Sequence, residues 1–370
     1  MGTGRRYKYS IGESFNRLTV DGVTFDGPGA VEHFRQRKRS MEDEAWMDDL
    51  CDLVFDLAIQ DGSLRVATSG TTGPPKMISL PRRDLVNSAR LTAETFGLHE
   101  GDRVLLCLPC EYIAGKMMVV RAMALGLDLH VIGPRGSVLD NLGGVQDRFR
   151  FTAMVPLQLH RAIQEDKPRV ERQFDTVLLG GGPVSQALEE DVQGLGTAVF
   201  HGYGSTETVT HVALRRLNGP QPEAAYHAIG RITFALDERG CLVVNTPHLT
   251  RKRHVTNDLV DLVDDRNFRW LGRIDNVILS GGKKFYPEQM ERSTAGMVPY
   301  PHYFIPMDDA VLGQAVAMVL ETDRDSEEVI DDVVPVLMKV LPEHQWPRRI
   351  VALAKFARTT SGKIIRERFV

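Results

Sequence analysis

Thr68-Ser-Gly-Thr-Thr-Gly-Pro-Pro-Lys76 is the stretch on which the reading of this 370-residue chain turns. It sets six Gly, Ser or Thr residues, two prolines and one lysine between two ordered elements. Such a loop can wrap backbone N–H groups around an anion, add hydroxyl donors and bring one mobile ammonium beside them. Polyphosphate is the guest this chemistry fits. It is not a Walker A loop, which needs Gly-Lys followed at once by Ser or Thr, because Met77 follows Lys76. A plain polar turn is the alternative, and turns rarely concentrate these residue types so densely.

Outward from the loop, short apolar runs alternate with helical periodicity. Arg103–Leu108, Leu129–Ile132, Thr176–Leu179 and Ala198–His201 read as strands, and Arg83–Phe96 and Gly115–Ala124 as helices. Upstream, the run from Met41 to Ala58 repeats its apolar residues at three and four, predicting one amphipathic helix. Beyond Gly240, Cys241-Leu-Val-Val-Asn245, Asp258–Val263 and Phe268–Leu271 look like hairpin strands. A final unit follows, with strands at Val277–Ser280 and Gln314–Leu320 and helices at Pro287–Ser293 and Ser326–Leu341. The expected fold is therefore α/β: a large N-terminal domain of helix-covered β-sheets over residues 1–272, and a small α+β C-terminal domain over 276–370. Gly272-Arg-Ile-Asp275 is the joint, placing a hinge near 273–276.

Composition narrows the partners. With 42% hydrophobic and 25% charged residues the chain can bury a sizeable core, which excludes a disordered or fibrous protein. The net charge of −4 recommends neither nucleic acid nor an anionic membrane surface. No run approaches a membrane span, and no apolar stretch follows the opening Met-Gly-Thr-Gly-Arg-Arg, so a cytoplasmic address is expected. Four cysteines suit a reducing compartment. Cys107 and Cys110 form a CxxC without a second ligand pair, which reads either as two small apolar residues at a strand end or, less simply, as a metal or redox site.

A second motif, Val199-Phe-His-Gly-Tyr-Gly-Ser-Thr-Glu-Thr208, sets an aromatic, glycines, hydroxyls and a carboxylate at a strand end. Tyr203 can stack on a base, Thr206 can donate to a phosphate and Glu207 can hold a divalent cation. With it, Thr68–Lys76, Thr256-Asn-Asp258, Gly272–Asp275 and Thr360-Ser-Gly-Lys363 stand in the order found in the adenylate-forming superfamily, which the chain resembles from residue 64 to its end. That superfamily includes acyl-CoA synthetases, firefly luciferase and peptide-synthetase adenylation domains.

The resemblance implies ATP, Mg2+ and coenzyme A as reactants and a carboxylic acid as substrate. Thr68, Ser69, Gly70, Thr71, Thr72, Gly73 and Lys76 would hold the β- and γ-phosphates. Gly180, Gly181, Gly182, Tyr203 and Gly204 would flank the adenine, and Thr206 would contact the α-phosphate. Glu207 would bind magnesium, Asp258 and Arg273 the ribose, and Lys363 both the substrate carboxylate and the α-phosphate. Together Lys363, Thr206 and Glu207 form the implied catalytic set. In the family the small domain rotates between two half-reactions, with Asp275 matching the hinge residue and Gly281, Gly282 and Lys283 in the turn brought to the thiol channel. An ordinary basic hairpin turn is the plainer reading of that last motif. The usual Thr-Gly-Asp reads Thr256-Asn257-Asp258 here, so the backbone must accept Asn at the middle position.

Two features resemble the o-succinylbenzoate:CoA ligases of menaquinone biosynthesis in particular. The segment before the phosphate loop is short, at 67 residues. Leu108-Pro-Cys-Glu-Tyr-Ile-Ala-Gly115, continuing through Arg121 to Gly126, carries their Leu-Pro, aromatic, Gly and Arg pattern, with Tyr112 where many relatives have histidine. o-Succinylbenzoate has two carboxylates, and the one not activated needs a partner when buried. Tyr112, Lys116, Arg121, His201 and Thr208 are the expected acyl-site residues, with Arg121 or Lys116 facing the second carboxylate. Solvent-facing helix charges are the alternative for these two cations. A ligase for another aryl or medium-chain acid, or a catalytically silent adenylate-binding module, are the competing functional readings. A peptide-synthetase domain is disfavoured because no carrier domain follows Val370.

Overall fold

The computed structural model describes residues 14–39, 45–59, 62–68, 76–358 and 364–368. Strands β1 (Arg17–Val20) and β2 (Val23–Asp26) form a hairpin, and helices α1 (Gly27–Arg39) and α2 (Ala45–Ala58) follow. The phosphate-loop motif is flanked by the antiparallel pair β3 (Leu64–Ala67) and β4 (Met77–Leu80). Then come α3 (Arg82–Phe96), β5 (Arg103–Leu106), α4 (Ile113–Leu125), β6 (Asp128–Val131), α5 (Val138–Leu142), β7 (Phe151–Met154), α6 (Pro156–Gln173), β8 (Thr176–Leu179), α7 (Gln186–Asp191) and β9 (Ala198–Gly204). This is the alternation read from the apolar runs, with most ends within two residues of expectation.

Strands β10 (His211–Arg216), β11 (Tyr226–Ala228), β12 (Thr233–Leu236), β13 (Cys241–Asn245), β14 (Arg253–Leu262) and β15 (Asn267–Arg273) complete a 13-stranded sheet. Its order is β12-β13-β14-β15-β11-β10-β9-β8-β7-β5-β6-β1-β2. Neighbours from β9 to β1 pair in parallel, and from β9 to β12 every pair is antiparallel. The hairpin strands beyond Gly240 are thus a continuation of the parallel sheet. Two apolar clusters cover it: one gathers α1 to α4, the other α5 to α7. The short parallel strands β5 to β8 are mostly buried, as βαβ crossovers require.

A second sheet, with its own core, is built from β16 (Ile278–Ser280), β17 (Lys283–Phe285), β18 (His302–Asp309), β19 (Gly313–Glu321) and β20 (Arg349–Leu353). Helices α8 (Pro287–Thr294) and α9 (Ser326–Val340) pack on it. In α9 the apolar positions Val329, Val333 and Leu337 recur every four residues and are buried, while the first turn carries Glu327 and Glu328 where the helix dipole favours them.

Two junctions position the site. Chain direction reverses at the β9–β10 connection, residues 204–211, and the register shifts just beyond it, between His211 and Ala213. Gly204 is needed there because a Cβ would collide with the Thr210 carbonyl. At the start of α4, a Cβ on Gly115 would collide with the Pro109 carbonyl, so this glycine lets the helix close onto the loop after β5.

Candidate active site

The stem of the phosphate loop is zipped: Thr68 N–H donates to the Lys76 carbonyl at 2.9 Å, and Lys76 N–H donates to Thr68 Oγ1 at 3.0 Å. Lys76 itself is exposed. Ser69, Gly70, Thr71, Thr72 and Gly73 lie outside the described residues, as does Lys363.

Gly180, Gly181 and Gly182 leave the end of β8, with Gly181 at φ +80°. His201, on β9, is buried beneath them. Its Nε2 lies 3.1 Å from the Gly182 carbonyl and its Nδ1 2.8 Å from Tyr226 Oη. Since a carbonyl only accepts, Nε2 carries the proton and Nδ1 accepts from the tyrosine. Burial, with Arg215 nearby, pushes His201 down to about 3, so the ring is neutral. Both nitrogens are spent on protein partners. His201, expected at the acyl substrate, pins the glycine turn in the structure. Thr208, expected there too, is likewise engaged with the protein. Its buried Oγ1 accepts from Ser205 N–H at 2.9 Å and lies within bonding distance of the Ser205 and Thr210 carbonyls, so it folds the Ser205–Thr210 turn on itself.

Tyr203 closes against Phe268 and Tyr226, ring centroids 5.0 and 5.9 Å away. Its Oη donates to Asp258 Oδ2 at 2.6 Å. Asp258 also receives Trp270 Nε1 at 3.3 Å, and the Arg273 guanidinium lies 3.5 Å from the same Oδ1. The β14–β15 register sets Asp258 directly opposite Arg273. Burial first, and the Asp258 charge second, hold the Tyr203 phenol well above its ordinary pKa, so it stays a donor. Trp270 was not foreseen. The signal was present in Phe268-x-Trp270, whose two-residue spacing puts both rings on one strand face.

Asn257 sits within strand β14 and needs no unusual backbone, since its φ is negative. Its amide accepts from Arg239 at 3.0 Å and donates to Asp275 at 3.2 and 3.3 Å. Asp275 also binds Arg273 at 3.2 Å, and its carbonyl accepts from Arg368 at 3.0 Å. The Asn that departs from the usual motif is thus a tie to residue 275. Gly281 and Gly282, at φ +55° and +79°, form the β16–β17 turn with both central residues left-handed, and Lys283 beside them is exposed.

Thr206 is half-buried and its carbonyl accepts from Val209 N–H, while Glu207 is exposed. Among the described residues Glu207 has no ion-pair partner, and no group of three His, Cys, Asp or Glu residues could hold a metal. A free, solvent-facing carboxylate fits a magnesium ion whose other ligands are phosphate oxygens and water. Val209, buried and β-branched, has φ +67°, an uncommon left-handed conformation imposed by the turn.

On α4, Tyr112 caps the N-terminus with extended backbone. Lys116 is half-buried near Asp49 of α2, close enough to lower that carboxyl against the rise caused by burial. Arg121 is 1% exposed. Its Nε reaches Thr92 Oγ1 at 3.3 Å, one terminal nitrogen reaches Thr210 Oγ1 at 3.0 Å, and the guanidinium lies 5.7 Å from the centre of the Phe151 ring. Among the described residues no carboxylate pairs with it. Burial pulls the guanidinium down to about 9, which leaves it charged at neutral pH. Of the two expected cations, Arg121 is the one bonded to the Ser205–Thr210 segment, and it is not solvent-facing.

Cys107 and Cys110 are buried free thiols, both pushed up to about 12 by burial, and Cys107 lies 3.4 Å from the Ala153 carbonyl. They pack at the end of β5.

With this geometry in view, the comparisons with known proteins are specific. The profile of the AMP-binding enzyme family matches residues 64–247. A solved acyl-CoA synthetase (AMP-forming)/AMP-acid ligase II-like protein from Dyadobacter fermentans is 34% identical, with 88% of this chain and 94% of that chain covered and a TM-score of 0.57. The chain belongs to the adenylate-forming, AMP-binding enzymes. Among curated proteins, the 2-succinylbenzoate–CoA ligase of Bacillus pumilus is 25% identical over 88% of this chain and 72% of its own length. The o-succinylbenzoate coenzyme A synthetase of Bacillus subtilis, solved in complex with ATP and magnesium ion, shares the fold, with a TM-score of 0.70 at 20% identity over 90% of this chain and 80% of that one. No helix among the described residues is long and apolar enough to cross a membrane.

Proposed function

We propose that the protein is an AMP-forming acid:CoA ligase whose acid is o-succinylbenzoate. The observation that carries the choice of acid is Arg121: a buried guanidinium without a carboxylate partner among the described residues, hydrogen-bonded to the segment that follows Glu207. Leaving a charge so buried and unpaired is costly, and a substrate anion offsets the cost. Phe151, 5.7 Å from the guanidinium, packs on Phe96, which packs on Phe200, at centroid distances of 5.0 and 5.3 Å, an aromatic cluster beside it suited to an aryl ring. The curated 2-succinylbenzoate–CoA ligases that the chain resembles support the same reading.

In the first half-reaction a carboxylate oxygen of the acid attacks the α-phosphorus of ATP. A bond forms between them, the bond to the β-phosphate oxygen breaks and pyrophosphate leaves. Carboxylate and phosphate repel, and charge builds on the phosphorane oxygens as they meet. Lys363 supplies the cation between them, Thr206 donates to the α-phosphate, and the Thr68–Lys76 loop holds the departing phosphates. Asp258, aligned by Tyr203, Trp270 and Arg273, accepts from the ribose hydroxyls. Magnesium, held by Glu207, neutralises phosphate charge when bound. In the second half-reaction the CoA thiol gives its proton to water, its sulfur bonds to the acyl carbon, the bond from that carbon to the phosphate oxygen breaks and AMP departs. Rotation of residues 276–370 about 273–276 withdraws Lys363 and brings Gly281–Lys283 to the thiol. Asn257 and Arg368, both bonded to Asp275, are positioned to favour one hinge setting.

The test is thioester formation by the purified protein with ATP, magnesium and CoA, offered o-succinylbenzoate, benzoate and a medium-chain fatty acid, with products read by mass spectrometry. Selective o-succinylbenzoyl-CoA is the expected result. Preferential use of either other acid contradicts the substrate, and absence of turnover with all three contradicts the enzyme.

A further inference from the structure

Beside Arg121 stands a second buried group that the reaction outlined above does not use. His211, the first residue of β10, is 7% exposed, and its Nε2 is buried with no hydrogen-bond partner among the described residues. Its other nitrogen, Nδ1, lies 3.2 Å from Thr210 Oγ1. Thr210 Oγ1 already accepts from the Arg121 guanidinium at 3.0 Å, and a guanidinium can only donate. Among the described residues His211 Nδ1 is the one acceptor within reach of the threonine proton, so the hydroxyl donates to Nδ1. That fixes the tautomer, because an imidazole whose Nδ1 accepts and which stays neutral must carry its proton on Nε2. Burial, reinforced by the nearby Arg121 charge, holds His211 well below its ordinary pKa and so neutral.

The chain of donors runs from the Arg121 N–H to the Thr210 hydroxyl to His211 Nδ1, and it ends on a buried N–H without an acceptor. A buried donor left unmatched is destabilising, whereas His201, the other buried imidazole of the same hairpin, has both nitrogens matched. The ring of Phe96, 6.0 Å from the His211 ring, adds an apolar wall.

We propose that His211 is a specificity-determining residue, donating from Nε2 to an acceptor oxygen of the acyl substrate, with Thr210 and Arg121 setting its tautomer. The required ligand is an acid carrying a second oxygen acceptor, a keto or carboxylate group, held beside an aromatic or apolar body. This inference rests on the acid-activating reading above, but not on which acid is used.

The test compares wild type with His211→Phe, which keeps a flat ring and removes the donor, and His211→Gln, which restores an N–H. ATP–pyrophosphate exchange is measured with o-succinylbenzoate, benzoate and a medium-chain fatty acid, with thermal unfolding followed in the absence of ligands. For an acid with a second acceptor, His211→Phe should raise KM about ten- to hundredfold, with partial recovery in His211→Gln and an unchanged KM for ATP. The ligand-free Tm should not fall, because an unmatched donor has been removed. If benzoate or the fatty acid proves the best substrate of wild type, the assignment of o-succinylbenzoate fails. The His211 inference then survives only if a weaker acid with a second acceptor still loses its advantage in His211→Phe. An unchanged KM for every acid, a parallel rise for benzoate and ATP, or a drop in Tm with no selective change in KM overturns the inference.

Discussion

The β9–β10 connection separates two regions that treat buried charge in opposite ways. Tyr203 enters it from the proposed nucleotide side, where the Asp258 carboxylate is met by a phenol, an indole and a guanidinium. Thr210 leaves it on the proposed acyl side, where Arg121 and His211 meet hydroxyls and aromatic rings but no carboxylate among the described residues. The first region is balanced before any ligand arrives. In the proposed function it presents one orientation of a carboxylate to a sugar that every substrate pair has in common. The second has donors in excess, and a donor excess in a dry site selects for whatever anion completes it. Constancy on one side and choice on the other follow from where the compensating charges sit.

The balanced side breaks most severely if its centre is removed. Asp258→Ala leaves Tyr203, Trp270 and Arg273 aimed at an empty position, and should raise the KM for ATP about 100-fold and cost about 2–3 kcal/mol of stability. Steady-state kinetics and urea unfolding check the two parts. A KM for the acid that rises as steeply as that for ATP would show the two regions are not separable. Tyr203→Phe deletes one of the three donors and keeps the ring, so about a tenfold rise in the KM for ATP is expected, with the acid KM within about twofold.

Acid titration sharpens the contrast differently. His201 and His211 are both held neutral by burial, His201 at about 3. Their unfolded counterparts take up protons as pH falls below about 6.5, so the unfolded state binds more protons and stability declines from there toward the folded values. Above that pH both states are neutral and the groups contribute no slope. His211→Phe should make the decline between pH 5.5 and 4.5 shallower by about 1.4 kcal/mol per pH unit, measured by urea unfolding at each pH. An unaltered slope would mean that His211 is protonated in the fold. The smallest effect is expected at Trp270→Phe, whose indole is the longest and weakest of the neutral donors to Asp258: about a threefold rise in the KM for ATP, with no change in acid preference.

That Tyr203, Asp258 and Arg273 meet was legible in the sequence because they come in short linear motifs. What the motifs did not carry was strand register. Trp270 joins Asp258 only because β14 and β15 pair across a bulge, and the Asn257 tie to Asp275 depends on the same pairing. On the acyl side the helix pattern around Gly115 pointed to Arg121, but a charge on a helix reads alike whether it faces water or the core. Its burial depends on how α4 packs against α3 and the sheet. His201 and Thr208 were assigned by nearness to a motif. In the fold both side chains turn inward, one to hold the glycine turn and one to close its own loop, which alternation along β9 does not reveal at a strand end. His211 carried no sequence signal at all. Its role follows from the direction of two hydrogen bonds. The merging of the hairpin strands into the parallel sheet was equally hidden, since it is set by the long-range pairing of β11 with β15.

The central claim is that the unpaired buried guanidinium chooses the acid. The most direct measurement is the ratio of kcat/KM for o-succinylbenzoate to that for benzoate in wild type and in Arg121→Met, which keeps the bulk and removes the charge. Wild type should favour o-succinylbenzoate, and Arg121→Met should reduce that ratio about 100-fold while leaving the protein as stable or more stable by about 1–4 kcal/mol, since a buried unpaired charge has gone. An unchanged ratio in a folded Arg121→Met protein would contradict the account.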